Sequence, residues 1–527
     1  QPSSASSSSS SSSTSTTGLV DRLWKLDFWN SFNFHLATCA ALRCSAYYTS
    51  LQYAEIWCEQ YQMQQSAQTS TQALNTYPGL MIPSDSSSQT VIQLKQVLFD
   101  VYRNTGEPHS FSAVGVDWKP GDQGKIEAAE YETDWAKSAS LYDILITSSP
   151  SPSSLSSSSS SQSHHIEGLL MAMKKIGHQH VVDQYLKSFG SQPLPDELVE
   201  LQYDSAWRNM QWDTHFLAAT TSSTAVSTVA SLKPNKAIFC SLRALQNKEG
   251  SAISELLSAA RLSLVERLAV ASNESPNVIQ PLLANLQQLS ELEDVSSLTK
   301  DGQTMMSETT VKELQMKWMR NHQHRQQSEW SFEVIEPIMA LRSIILESFS
   351  NDCVGLNSLL LEMAKLAQIK GRFSIATSAL HRVKRGNIGS TSSMQVKIQE
   401  SRLMWEEGHK SGAIAQLLQT IRTEDESVVV IGDDGNDDDD DDGDENKMEI
   451  VEREGKSGTM SWFKAYALCK LAKWQNIQRS ERRETIQHYL KSAIRIGGEY
   501  KPHAHFAFAQ YADSLYQNFA DKMKTPE

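Results

Sequence analysis

Three His-x-His pairs are the first candidates for chemistry in this chain: His178 with His180, His322 with His324, and His503 with His505. A metal centre would need such pairs to converge with Cys or carboxylate ligands in tetrahedral geometry. On a helix, residues two apart point in different directions, and no Cys or carboxylate cluster stands beside any pair. They are read as exposed or capping histidines. Six cysteines, Cys39, Cys44, Cys58, Cys240, Cys353 and Cys469, contain no C-x-x-C pair and no dense framework, so they read as reduced, mostly buried thiols of an intracellular protein. There is no Gly-rich phosphate loop, no Gly-x-Ser-x-Gly elbow and no H-E-x-x-H helix. No catalytic residue, cofactor-binding residue or metal ligand is therefore assigned, and no cofactor is expected in this chain.

The elements that would carry any site follow from composition and period. The 527 residues are 39% hydrophobic and 21% charged, enough to bury a core even with low-complexity stretches in water. Much of the formal net charge of −14 sits in the unbroken run Asp437 to Asp442 and its acidic flanks from Asp433 to Glu454. Long-range attraction to a basic partner such as a histone tail is one reading of that run. The adopted one is a solvated, self-repelling loop, because blocks of like charge seldom fold. No Lys/Arg cluster is dense enough to track phosphates, so no direct nucleic acid binding is expected. No apolar run approaches the ~18 residues of a membrane span, and no charged n-region precedes an apolar h-region; the reading is a soluble protein with no membrane contact.

Apolar residues recur at three and four between the low-complexity tracts. Ile253, Leu256, Leu257, Ala260, Leu264 and Leu268 form one stripe; Ile279, Leu282, Leu283, Leu286 and Leu289 form a second, with Pro276 as the helix start. Ile335, Ile338, Met339, Ile345, Leu346 and Phe349 form a third, with Pro337 near its first turn. No alternating runs joined by Asn-Gly or Asp-Gly signal a hairpin of strands. One internal repeat is legible: Leu366, Gly371, Ala376 and Leu380 keep the offsets of Leu403, Gly408, Ala413 and Leu417, near the ~34-residue period of a tetratricopeptide hairpin. Gly would end the first helix, the small Ala would let the second approach, and Leu would fill the seam. The expected fold is all-α, an α-solenoid of tetratricopeptide/HEAT-like helical hairpins with disordered Ser-rich and Asp-rich insertions. Residues 1–17 are a Ser/Thr-rich tail, and the helical region 18–527 is expected to be broken by loops at 62–90, 148–163, 220–231 and 423–457.

Two segments have compositions that helical propensity does not explain. The first is Trp207, Arg208, Asn209, Met210, Gln211, Trp212 and Asp213; the second is Phe332 followed by Glu336, Pro337, Ile338, Met339, Ala340, Leu341 and Arg342. By themselves, Trp207, Trp212 and Arg208 fit either a recognition hot spot or packing between helices, with Arg208 and Asn209 satisfying helix ends. Packing is the reading adopted, because large aromatics dominate core energetics. With weaker echoes at Tyr53 to Ile56, at Tyr102, Arg103 and Gly106 to Pro108, and at Tyr489 to Lys491, these segments resemble the FAT region of ataxia-telangiectasia-mutated (ATM) type kinases. That is the helical-repeat region preceding the catalytic domain in the phosphatidylinositol-3-kinase-related family. The serine tracts and the acidic run look like insertions relative to it.

The resemblance implies a non-catalytic scaffold of an ATM-like serine/threonine protein kinase. Such a segment would wrap the kinase domain of its parent chain, contribute to a homodimer, and act in the nucleus on DNA double-strand breaks. Nothing in the chain resembles a kinase catalytic loop or metal-binding Asp motif, so ATP and Mg would belong to a kinase domain outside it. The rival reading is an independent helical-repeat adaptor that binds a partner peptide. ATM-type kinases, as the resemblance further implies, favour Ser or Thr before Gln. Thr71 and Ser88, each followed by Gln in the loop 62–90, are the candidate phosphorylation sites, with Ser88 preferred because it precedes a helix expected near Val91. Ser161 and Ser191 also precede Gln.

Overall fold

The computed structural model describes residues 32–68, 89–106, 122–148, 159–188, 196–212, 232–298, 306–327, 330–350, 352–386, 390–429, 446–479 and 481–524. Among the described residues there are helices and turns and no strand. In chain order the helices are α1 Phe34–Arg43, α2 Tyr47–Gln68, α3 Gln89–Thr105, α4 Asp122–Tyr131, α5 Trp135–Ser148, α6 Ser159–Ile176 and α7 Gln179–Ser188. Then come α8 Asp196–Arg208, α9 Pro234–Asn247, α10 Gly250–Val270, α11 Pro276–Leu298, α12 Glu308–Gln327, α13 Phe332–Phe349 and α14 Cys353–Ile369. The last six are α15 Phe373–Arg385, α16 Ser390–Glu406, α17 Lys410–Val429, α18 Asn446–Gln478, α19 Arg483–Ile496 and α20 Lys501–Lys524. Sequence neighbours pack as antiparallel hairpins, α14 on α15, α16 on α17 and α18 on α19, which is the all-α, solenoid-class architecture that the periodicity predicts.

One turn geometry recurs. After α14 the Gly371 N–H donates to the Gln368 carbonyl and the Arg372 N–H to Ala367; after α16 the Gly408 N–H donates to Trp405 and the His409 N–H to Met404. This is the Schellman arrangement, which satisfies the last carbonyls of a helix through one left-handed residue. Gly371 has φ +71° and Gly408 φ +96°, with open space where a Cβ would stand. Conformation, not room, demands glycine at these two turns. Ala376 and Ala413 are both buried in the following helices, as are Leu380 and Leu417, so the repeat seen in the sequence is a repeat of packing. The same two hydrogen bonds close α8 around Met210 and α9 around Lys248, where non-glycine residues hold φ +52° and +63°.

The helices form two compact units. In the first, residues 1–169 with 262–283, side chains cap helices from afar: the Tyr48 N–H at the start of α2 donates to Glu274 at 2.9 Å, and the Asn277 amide donates to the Arg103 carbonyl at the end of α3 at 3.0 Å. These contacts satisfy terminal groups that no intrahelical partner reaches. Tyr142 of α5 lies against Gly168 of α6 so closely that a Cβ would overlap its ring. In the second unit, residues 170–261 with 284–527, one core gathers Leu360, Leu361, Ala364, Leu380 and Val383 between α14 and α15. Another surrounds Leu417, Leu468, Leu471 and Leu490, beside Trp405 and Trp474 stacked at 4.7 Å.

Several boundaries differ from expectation. Gln62–Gln68 continue α2, Ser159–Ser163 begin α6, Thr423–Val429 continue α17, and Asn446–Ser457 begin α18, so each flank placed in a loop is helical at its edge. Once a helix is nucleated by packing, each further residue adds a hydrogen bond at little cost, and the Gln-rich edge of α2 also has good propensity, whereas the serine edge of α6 does not. The tail 1–17, the loop 220–231, and the centres of the other loops lie outside the described residues. Pro276 opens α11 as expected, but Pro337 is the sixth residue of α13, past the first turn. Its missing N–H therefore leaves the Glu333 carbonyl without the usual helical donor. On α11 Leu283 faces water, although Leu282 and Leu289 of the same stripe are buried.

Candidate functional site

The two unusual segments meet within the second unit. Arg208, the last residue of α8, reaches across to Glu336 of α13 with both nitrogens, Nη1 to Oε1 at 2.6 Å and Nη2 to Oε2 at 3.0 Å. This is a bidentate guanidinium–carboxylate fork between residues 128 apart in sequence, the strongest geometry available to an ion pair. Arg208 Nε also donates to Asp204 Oδ1 at 3.2 Å, one turn back on α8, and Lys174 of α6 stands 2.7 Å from the other oxygen of Asp204. The Asp204 side chain is 3% exposed and that of Arg208 11%. Two further cations, Lys175 of α6 and Arg372 at the head of α15, converge on Glu333 at 3.1 and 3.0 Å.

Electrostatics follow from this geometry. Burial opposes the charge on Asp204, but Arg208 and Lys174 outweigh it and hold the carboxyl below its usual range. For Arg208, burial likewise opposes the charge, and Asp204 and Glu336 overcome it and keep the guanidinium firmly protonated. Burial pulls the Lys174 ammonium below its usual range against the attraction of Asp204, and the set is an ionic lattice closed by paired opposite charges. It has no nucleophile poised on a base.

The remaining residues of the first segment clamp the turn after α8. Trp207 is fully buried, with the Arg208 guanidinium 4.9 Å above its ring. The Asn209 amide donates to Ser205 and the Gln211 amide to Asp183 of α7, each at 3.3 Å. Met210, in the left-handed region, accepts the Ser348 hydroxyl on its sulfur at 3.5 Å. Trp212 packs 5.8 Å from Phe239 of α9. In the second segment Met339 and Leu341 are buried, and the Pro337 carbonyl accepts from Gln288 of α11 at 2.9 Å. Arg342, 4% exposed, makes a second bidentate fork with Glu291 of α11 at 2.9 and 2.6 Å and lies 5.1 Å from the Trp318 ring of α12.

The structure therefore joins the two segments through Arg208 and Glu336 and gives Arg342 its own buried partner. The partners Lys174, Asp204, Glu291 and Glu333 did not emerge from sequence reasoning. Asp204 had a signal, because it precedes Arg208 by four residues on one helix; the others lie on distant helices. His178, His180, His503 and His505 are exposed, and His503 stacks on Tyr500 at 5.1 Å. Among the described residues no three His, Cys, Asp or Glu side chains converge as a metal site, and no helix is long and apolar enough to cross a membrane. Thr71 and Ser88 lie outside the described residues.

The model of the FAT domain matches residues 199–525, a span that starts within α8 and contains both segments. The chain belongs to the FAT domain family. Serine-protein kinase ATM of Sus scrofa is 26% identical to it over 529 aligned residues, covering 95% of this chain and 16% of that protein. Serine/threonine-protein kinase ATM of Arabidopsis thaliana is 23% identical over 439 residues, covering 74% of this chain and 11% of that protein. This FAT chain spans only a small share of the length of these curated relatives. The Arg208–Glu336 fork lies wholly inside the span that defines the FAT family.

Proposed function

We propose that the chain is the non-catalytic scaffold segment of an ATM-like serine/threonine protein kinase, bracing that protein's kinase domain and its homodimer. The observation that supports this most is the alignment of 95% of the chain with an ATM kinase. In this reading ATP and Mg are held by the parent's kinase domain, the partners are that domain and a second copy, and the whole protein signals DNA double-strand breaks in the nucleus. The contribution of this segment is mechanical. The ionic lattice joining α6, α8, α13 and α15 has one arrangement in which its buried charges are paired, and displacing any of these helices leaves a charge uncompensated. A solenoid held in one shape can hold a catalytic domain in one position.

The test is phosphorylation of a Ser-Gln substrate peptide by the full-length parent protein with DNA ends present. Arg208→Glu should lower the rate, and the exchange Arg208→Glu/Glu336→Arg should recover part of it. A parent transcript encoding no kinase domain would sink the proposal in favour of the adaptor reading. An Arg208→Glu protein with disturbed packing and undiminished activity would also refute it.

A further inference from the structure

Helices α18, α19 and α20 of the second unit enclose an open groove of about 340 Å³. Ala472 on α18, Leu490 on α19 and Ala507 on α20 form part of its apolar wall. The α20 residues His503, Phe506, Ala507, Gln510 and Ser514 that face it recur at three and four, so one continuous helical face is left open along the cleft. Two large apolar side chains stand at its edge in water, Ile477 at 54% and Phe506 at 65% exposure. Apolar walls with a few polar groups at the rim are the usual make-up of a binding cleft.

The charged lining is basic, set among the neutral polar groups of Asn476, Gln510 and Ser514. Lys470, Lys473 and His503 line the groove, and no Asp or Glu does. Lys470 is half-buried, its ammonium 5.6 Å from the Tyr466 ring. Arg402 and Lys473 repel its charge, while Glu406 attracts it. Burial first, then these two like charges, lower the pKa of Lys470. A partly desolvated ammonium between like charges is stabilised by any carboxylate brought to it.

We propose that this groove docks an acidic segment of a partner protein, with a Phe- or Leu-like side chain seated over Ala472 and Ala507 and a flanking carboxylate paired with Lys470. Nucleic acid fits less well, because two lysines neutralise too little of a phosphate backbone. The inference rests on the groove alone and is independent of the kinase parentage proposed above.

The experiment is fluorescence anisotropy with the full chain and a fluorescein-labelled peptide of Asp and Glu around a central Phe. Binding should weaken as salt rises, and should fall about tenfold or more in Lys470→Gln, the loss expected for one charge-assisted pair. Ala507→Leu, which fills the groove with apolar volume, should abolish binding while the helical circular dichroism and melting temperature are kept. If that variant misfolds, Lys473→Glu, at an exposed position, supplies the same test through charge reversal. No binding at all would overturn the proposal, as would binding unchanged in these variants. So would equal affinity for an acidic peptide without Phe, which means a simple anion site, or for a single-stranded oligonucleotide.

Discussion

Replacing Arg208 with Met keeps most of its length and apolar stem but removes the charge that ties α8 to α13. Three hydrogen bonds to carboxylates are lost, two to Glu336 and one to Asp204. Each such bond contributes about 1.5–3 kcal/mol gross, but returning the guanidinium to water in the reference state offsets part of the sum. Breaking one side of a buried pair nets about 3–5 kcal/mol. Asp204 keeps Lys174 at 2.7 Å, so most of the damage falls on Glu336. Glu336→Gln in the Arg208→Met background should therefore recover at least about 1 kcal/mol, the coupling expected of contacting residues. Urea unfolding followed at 222 nm for the wild type, both single variants and the double variant measures this cycle. The acid limb adds a second check. The Asp204 carboxyl titrates lower in the folded chain than in the unfolded one, so its stabilisation is complete above the unfolded value of about 3.9 and is lost as pH falls through the folded value. Without Arg208 that loss should begin at higher pH. A cost below about 1 kcal/mol, with additive double-variant energies, would refute the reasoning.

Glycine substitutions should separate conformation from room. Gly371→Ala and Gly408→Ala should each cost about 1–2 kcal/mol from the left-handed backbone alone, whereas Gly168→Ala should cost about 1–3 kcal/mol by overpacking against Tyr142 and be relieved by Tyr142→Ala; thermal melts check both. Burial pushes the thiols of Cys58 and Cys469 up to about 11, leaving about one thiolate in a thousand at pH 8. Iodoacetamide at that pH should label the exposed Cys44 and Cys353 first and reach Cys58 and Cys469 only after unfolding, as peptide mapping would reveal. Trp207→Ala should cost about 3–5 kcal/mol in the same urea assay, since the ring is fully buried. Phosphorylation is expected at Ser88 or Thr71 after DNA breakage; α3 begins at Gln89, where a phosphate on Ser88 would meet the positive helix end for about 0.3–1 kcal/mol. Recovery of these peptides only unmodified would dismiss that site.

The sequence by itself determined the class of structure and the repeat, because both are written in local spacing. A period near 3.6 places Ile253, Leu257, Ala260 and Leu264 on one buried face whatever they pack against. Gly371 and Gly408 announce their turns because glycine alone enters the left-handed region freely. Met210 and Lys248 hold the same conformation with no such mark, since there the surrounding contacts, not the residue type, carry the strain. The composition of the two FAT segments pointed to a family but not to a contact between them. Arg208 might have been matched to Asp204 at four residues' distance, but its fork with Glu336 exists only once α8 and α13 are packed side by side. The groove beside Lys470 was equally invisible. Ala472 and Ala507 are unremarkable on separate helices, and they line one cleft only because tertiary packing brings those helices together. Periodicity is a property of one helix at a time, whereas charge pairing and cavities depend on which helices become neighbours, and that was decided by the fold.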